Sequence, residues 1–189
     1  MPQDLFTLKK TAENLSSLLE GAKINKIAVP SIDEVVFTLY KNKTYTLVIS
    51  TNANFARVSL TLKKYENPLT APNFCMLLRK YVSGAEIEKI TCDGVDRTIS
   101  ISLKNINDFK ENQSFVIHAE IMGKYSNVFL TCENKILGAL KQNGQHLDSK
   151  RSNVVGLPYE KVPPQNKVYY GDKNGVLNVF SNAPCPMTS

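Results

Sequence analysis

Two turns that combine glycine with basic residues are the parts of the sequence that best indicate chemistry. One is the stretch 120–127, which places a Gly-Lys-Tyr turn between an alternating apolar run and a second apolar run at 128–130. The other is Gly94-Val95-Asp96-Arg97, where an acid stands beside a base just before the alternating run 98–103. Glycine permits tight turns, and cations grouped at strand corners attract anions. The sequence therefore predicts a surface that holds a polyanion.

The charge of the whole chain agrees with an anionic partner. The formal net charge is +6, and the isoelectric point is near 9.1. Lysines are spread along the chain, a pattern typical of a solubilising surface. Arginine is scarcer, and the guanidinium group suits bidentate contact with phosphate. The four arginines are Arg57, Arg79, Arg97 and Arg151.

Common catalytic and cofactor motifs are missing from the sequence. It contains no GxSxG, GxxxxGK[ST], GxGxxG or HExxH pattern, so we expect no cofactor. The only histidines are His118 and His146, and His118 falls within a strand-like run, where we expect a structural role. No CxxC pair occurs among the four cysteines, which indicates neither a zinc site nor a disulfide framework. They are Cys75, Cys92, Cys132 and Cys185.

One enzymatic alternative involves the amino terminus. If Met1 is removed, Pro2 becomes a terminal secondary amine, which is the nucleophile of base-excision glycosylases of the formamidopyrimidine-DNA glycosylase type. Those enzymes need a glutamate next to the proline, and this chain has Gln3, whose amide cannot exchange a proton in that way. We therefore expect no base excision and no catalytic residue.

The apolar patterns around these turns predict an α+β fold. Asp4 precedes apolar residues at helical spacing and predicts a capped helix over about 5–20, and a second helix begins at Asn73 and ends near Gly84. Strands before and after a central helix, without βαβ alternation, favour a mainly antiparallel sheet. The predicted strands cover about 24–29, 34–40, 45–50, 55–60, 85–92, 97–103, 114–121, 127–131 and 135–140.

Length and composition predict one globular domain with a tail. The 189 residues are 42% hydrophobic, which is enough for a core over residues 1–140. Residues 141–189 are polar and interrupted by glycine and proline, so we expect an extended arm or linker. No run reaches the roughly 20 apolar residues of a membrane span, and no secretory signal is recognisable. We therefore expect a cytoplasmic protein with no membrane partner.

Five ordered strings in the chain resemble the amino-terminal domain of the NFACT family. This family includes a bacterial ribosome quality-control subunit that is also described as fibronectin-binding protein A. The strings are Asn54-Phe55-Ala56-Arg57-Val58, Glu66-Asn67-Pro68, Phe74-Cys75-Met76-Leu77-Leu78-Arg79-Lys80, Gly94-Val95-Asp96-Arg97 and Glu120-Ile121-Met122-Gly123-Lys124-Tyr125-Ser126-Asn127.

This resemblance implies a fold and partners. The fold would be a β-sandwich with flanking helices, similar to the amino-terminal domain of formamidopyrimidine-DNA glycosylase. The function would be non-enzymatic binding of tRNA and of the stalled large ribosomal subunit with its peptidyl-tRNA, in support of template-free tailing of nascent chains. The arm at 141–189 would lead to carboxy-terminal domains that the chain lacks. A fibronectin-binding surface adhesin is the alternative function.

The resemblance also implies tRNA-binding residues. They match Asp4, Asp96 and Arg97 of this sequence, although Gln3-Asp4-Leu5 stands where the family usually has Phe-Asp-Gly. Arg97 could pair with a phosphate while a carboxylate accepts hydrogen bonds from a ribose hydroxyl or a base amine. Two structural alternatives stay open, because Asp4 is well placed as a helix cap and the Asp-Arg pair could form an exposed salt bridge.

Four further residues are candidates for tRNA contact. Lys124 and Tyr125 project together from the predicted turn, where a tyrosine can stack on an unpaired base, unless they form an ordinary hairpin tip. Arg79 and Lys80 lie at the end of the second predicted helix, where they could contact phosphate or complement the helix dipole.

Overall fold

The computed structural model describes residues 3–63, 65, 68–92, 97–106, 112–141 and 154–161. Each predicted helix and strand has a counterpart, with ends that differ by a few residues. The helices are α1 (Leu5–Leu19) and α2 (Asn73–Val82). The strands are β1 (Lys23–Ser31), β2 (Glu34–Tyr40), β3 (Thr44–Ser50), β4 (Arg57–Thr61), β5 (Glu86–Cys92), β6 (Thr98–Ile106), β7 (Asn112–Glu120), β8 (Asn127–Cys132) and β9 (Lys135–Ala139).

The described strands form one antiparallel sheet in the order β4-β3-β2-β1-β5-β6-β7-β8-β9. Two meanders, β1–β4 and β5–β9, meet where β1 pairs with β5 at Lys23 and Glu86. This junction also includes backbone hydrogen bonds from Ile24 N to the Ala85 carbonyl and from Ile87 N to the Ala22 carbonyl, both 2.9 Å. The predicted α+β class with an antiparallel sheet is confirmed.

Both halves of the sheet and both helices contribute to one large apolar core. Helix α1 buries Leu8, Ala12, Leu15 and Leu19, whose spacing places them on one face, and it packs on β4 and β5. Helix α2 packs on β1, β6 and β9. The predicted sandwich thus takes the form of a continuous sheet with a shared interior, and its likeness to the glycosylase domain stays a prediction.

Residues 154–161 lie along β9. The Ile136 amide donates to the Leu157 carbonyl at 2.9 Å, and the Tyr159 amide donates to the Asn134 carbonyl at 2.7 Å. The Tyr159 ring stacks on His118 with centroids 3.9 Å apart, and its hydroxyl donates to the buried Glu120 carboxylate at 2.7 Å. His118 thus has the structural role expected of it. The proposed boundary between residues 1–140 and 141–189 stays a prediction.

Candidate nucleic-acid interface

Loops from distant parts of the sequence meet at one end of the strands. Gln3 N donates to the Ala56 carbonyl at 3.0 Å, which brings the amino terminus to the loop 51–56. A Cβ added to Gly123 would lie 3.7 Å from the Ala53 carbonyl, so the turn 122–126 lies against the same loop. We call this end of the molecule, formed by residues 3–4, 51–57, 97 and 122–126, the basic loop end.

The turn 122–126 is held by its own hydrogen bonds. Gly123–Tyr125 form a single 3₁₀ turn, and the buried Ser126 hydroxyl accepts a hydrogen bond from Met122 N at 2.8 Å. Gly123 has φ +58°, a conformation in which a side chain would be strained. This geometry leaves Lys124 and Tyr125 exposed, with the Lys124 ammonium 5.0 Å from the Tyr125 ring centroid.

Arg97 connects this turn to the amino terminus. Its carbonyl accepts a hydrogen bond of 2.8 Å from Ile121 N, immediately before the turn. Its positive charge is the last and smallest of the causes that lower the pKa of Asp4. Asp96, the predicted partner of Arg97, lies outside the described residues.

Asp4 is the N-cap of α1. Its carboxylate accepts a hydrogen bond from Thr7 N at 2.7 Å. This backbone hydrogen bond is the largest cause of the lowered pKa of Asp4, and the charge of Arg97 is a smaller one. Asp4 is exposed. Capping therefore occupies part of the carboxylate and still leaves it accessible to solvent.

Two residues at this end, Phe55 and Arg57, were not among the candidates taken from the sequence. Phe55 is 59% exposed, and Tyr125, on the turn that lies against the same loop, is 66% exposed. Arg57 donates to the Phe55 carbonyl at 3.2 Å and lies 3.9 Å from a Glu34 carboxylate oxygen. The signal in the sequence was the string Phe55-Ala56-Arg57, which places an aromatic ring and a guanidinium beside a loop.

Arg79 and Lys80 lie in the last turn of α2 and are not among the residues that form the basic loop end. The Arg79 guanidinium donates through Nε and Nη2 to the Ile27 carbonyl, at 3.2 and 3.0 Å, and so fastens α2 to β1. Lys80 is exposed, with its ammonium 5.1 Å from the Tyr81 ring centroid. Over the ranges that the structure describes, no hydrogen bond or ion pair joins either side chain to the basic loop end.

Lys141 joins the two halves of the sheet and contacts the basic loop end at Thr51. Its ammonium lies 2.7 Å from Asp33 Oδ1 and donates to the Thr51 carbonyl at 2.8 Å. Its backbone amide and carbonyl are both bonded to the side chain of Asn127, at 2.9 Å each. Strand β8 and the loops of the β1–β4 half are thereby tied to one residue.

The described part of the chain can be compared with the requirements of metal binding, membrane insertion and base excision. No group of three histidine, cysteine or acidic side chains there could hold a metal ion. Neither α1 nor α2 has the length and hydrophobicity required to cross a bilayer. Pro2 lies outside the described residues, and the side chain of Gln3 bonds the β4 edge at Val58, accepting from its amide at 2.9 Å and donating to its carbonyl at 3.3 Å.

Comparison with known sequences identifies relatives over most of the chain. The family described as "NFACT N-terminal and middle domains" matches residues 4–181. The protein named Rqc2 homolog RqcH from Bacillus subtilis (strain 168) is 36% identical over 167 residues, which cover 87% of this chain and 29% of the relative. Its namesake from Streptococcus suis (strain 05ZYH33) is 35% identical over 166 residues, covering 86% and 30% respectively. The chain therefore spans less than a third of these relatives.

Solved structures show the same architecture. The N-terminal domain of fibronectin-binding protein PavA from Streptococcus pneumoniae superimposes with a TM-score of 0.85 and 31% identity, over 95% of this chain and 69% of that one. The N-terminal part of the fibronectin/fibrinogen-binding protein from Streptococcus suis gives a TM-score of 0.86 and the same identity and coverage. With its sequence match over residues 4–181 and this shared fold, the chain belongs to the NFACT N-terminal and middle domain family.

Proposed function

We propose that the basic loop end binds tRNA, and that the chain is the non-enzymatic RNA-binding domain of a ribosome quality-control factor. In this role it acts in the cytoplasm with the large ribosomal subunit that carries peptidyl-tRNA, and it supports template-free tailing of the nascent chain. Membership of the NFACT family and relatives named Rqc2 homolog support the proposal.

The observation that carries the proposal is the convergence of cations and exposed rings at the basic loop end. Arg97, Arg57 and Lys124 supply charges that can bind phosphate oxygens. The exposed rings of Phe55 and Tyr125 can stack on unpaired bases. Asp4 can accept a hydrogen bond from a ribose hydroxyl, because its carboxylate stays ionised and exposed.

The proposal requires no covalent step by this chain. Peptide-bond formation stays with the ribosome, and the domain only holds the tRNA. The Gln3 side chain is engaged with the backbone of Val58, which holds the amino terminus against β4.

The test is the affinity of labelled tRNA for the chain and its variants, measured by fluorescence anisotropy at two salt concentrations. Wild type should bind less tightly at the higher salt concentration, because counterions compete for the phosphates. Arg97→Ala should weaken binding about tenfold and reduce the salt dependence, since one phosphate contact is lost. The double variant Lys124→Ala/Tyr125→Ala should weaken it by a similar factor.

Lys104→Ala is the matched control. Lys104 is exposed on β6 and pairs with Glu86 at the opposite end of the sheet, so its loss should change affinity less than twofold. If Lys104→Ala and Arg97→Ala weakened tRNA binding equally, the basic loop end would not be the binding site. Circular dichroism melts of each variant separate lost contacts from lost folding.

Fibronectin binding is the second candidate, and the names of the structural relatives PavA and the Streptococcus suis protein favour it. Immobilised fibronectin tests it directly. Saturable binding that survives Arg97→Ala and high salt would support a separate protein-binding surface. A response that disappears at moderate salt would indicate only the attraction of a basic protein for an acidic surface.

A further inference from the structure

We propose that a groove on the β1–β4 half of the sheet is a second binding site, and that it takes a short single-stranded RNA segment. The groove has a volume of about 810 Å³, within the range of about 300 to 1,000 Å³ usual for ligand sites. A chain segment fits such a volume, whereas a duplex does not.

The floor of the groove follows from strand register. Lys26 pairs with Thr38, Thr38 with Thr46, and Thr46 with Thr61, so these four side chains form one row across the same face of the sheet. The next row, Ala28, Val36 and Val48, is buried apart from the main core, and Tyr65 packs on it. The floor therefore offers hydroxyl groups beside a small apolar patch.

The walls carry positive charge next to aromatic rings. The Lys43 ammonium lies 5.2 Å from the Tyr45 ring centroid, and the Lys63 ammonium lies 5.2 Å from the Tyr65 ring centroid. Lys26 adds a third exposed cation from β1. No acidic side chain is present among the described residues that line the groove. An anionic ligand is therefore the chemical match.

Single-stranded RNA fits this combination better than an acidic peptide. Its phosphates recur along a flexible chain and can reach lysines placed on β1, on the β2–β3 turn and after β4. Its bases can lie against the Tyr65 ring and the apolar floor on which that ring packs, contacts that do not depend on the base sequence. An acidic peptide would bind the lysines and leave the Tyr65 ring without a planar partner.

The groove is separate from the basic loop end. Thr46 precedes Ser50 by four residues on β3, and Ser50 pairs with Arg57 of the basic loop end. At about 3.3 Å per residue, the two sites are on the order of 13 Å apart along the strand. Each can therefore be disabled without changing the residues of the other.

The test uses a labelled, unstructured oligouridine and the whole chain. Charge reversal in Lys26→Glu/Lys63→Glu should weaken its binding about tenfold or more and lower the salt slope by about 0.7 for each lost phosphate contact. Both lysines are exposed, so the melting temperature should stay near that of wild type. Lys26→Arg/Lys63→Arg should retain the affinity. Lys80→Glu is the matched control, because Lys80 also lies over a tyrosine, Tyr81, but outside the groove.

The outcomes separate this site from the proposed tRNA site. Lys26→Glu/Lys63→Glu should lower oligouridine affinity several times more than Arg97→Ala does, and Arg97→Ala should lower tRNA affinity more than the groove variant does. Equal losses of oligouridine affinity in Lys80→Glu and in Lys26→Glu/Lys63→Glu would contradict the groove as an RNA site. The groove would also be reassigned if an acidic, leucine-containing peptide displaced oligouridine and bound more tightly. Failure of tRNA to bind would count against the basic loop end alone, because the groove is judged by oligouridine.

Discussion

At the scale of single residues, Asp4 has two roles that can be separated by substitution. It caps α1 through Thr7, and its exposed carboxylate belongs to the basic loop end. An asparagine keeps the acceptor oxygen for the cap but removes the charge, while an alanine removes both. The two substitutions therefore distinguish capping from participation in RNA binding.

We expect Asp4→Ala to lower the melting temperature and Asp4→Asn to leave it close to wild type at pH 7. The pKa of Asp4 is lowered from 3.8 in the folded chain, so its stabilising effect is complete above that value and is lost as pH falls through the lower, folded value. Urea unfolding at pH 5 and pH 3 should show that Asp4→Asn lacks this acid-dependent loss. An unchanged pH dependence in Asp4→Asn would contradict the assignment.

Tyr159 is the second residue with a specific prediction. Its ring is buried against His118, and its hydroxyl bonds the buried Glu120 carboxylate. Tyr159→Phe should reduce the free energy of unfolding by about 1 to 3 kcal/mol, because a buried hydrogen bond to the Glu120 side chain is lost. Tyr40→Phe, at a half-exposed tyrosine, is the control and should change it by less than about 0.5 kcal/mol in urea titrations.

At the scale of elements, the turn 122–126 sets the direction of Lys124 and Tyr125. Gly123→Ala places a Cβ on a residue with φ +58°, which should lower the free energy of unfolding by about 1 kcal/mol. The added Cβ itself has room, since its nearest neighbour is 3.7 Å away, so backbone strain is the cause. Affinity for tRNA should fall as well, and equal affinity would mean that the turn does not present the binding groups.

The elements were predictable from sequence because their signals are local. Asp4 before an apolar helical pattern indicates where α1 begins, and alternating runs around Gly123 indicate β7 and β8. The contacts between elements were not predictable in this way. Nothing in the sequence indicates that Gly123 lies against Ala53, or that the Arg79 guanidinium donates to the Ile27 carbonyl. Both contacts depend on the packing of residues far apart in the chain.

At the scale of the whole molecule, two meanders behave as one body because they share a core and a junction. The β1–β5 pairing is short, and Lys141 adds a second connection through Asp33 and Thr51. The sequence placed residue 141 at the start of a predicted arm. Its side chain instead ties the loops of both halves together, which no periodic pattern could reveal.

We expect Lys141→Met to lower the free energy of unfolding by about 1 kcal/mol, since a partly exposed ion pair and a charge-assisted hydrogen bond are lost. Hydrogen exchange should increase in the loops around Asp33 and Thr51 more than in β6. Lys10→Met is the control, because its ion pair with Glu13 is largely exposed. Similar effects of the two substitutions would show that Lys141 is an ordinary surface lysine.

The segment 154–161 has a consequence for the solubility of shortened forms of the chain. It bonds to Ile136 and Asn134 and so covers an outer strand of the sheet. An uncovered outer strand offers its backbone groups to a second molecule and promotes aggregation. A fragment that stops at residue 141 would expose the backbone groups of β9 in this way. Self-association of such a fragment would then result from the exposed strand and would not be evidence of a native oligomer.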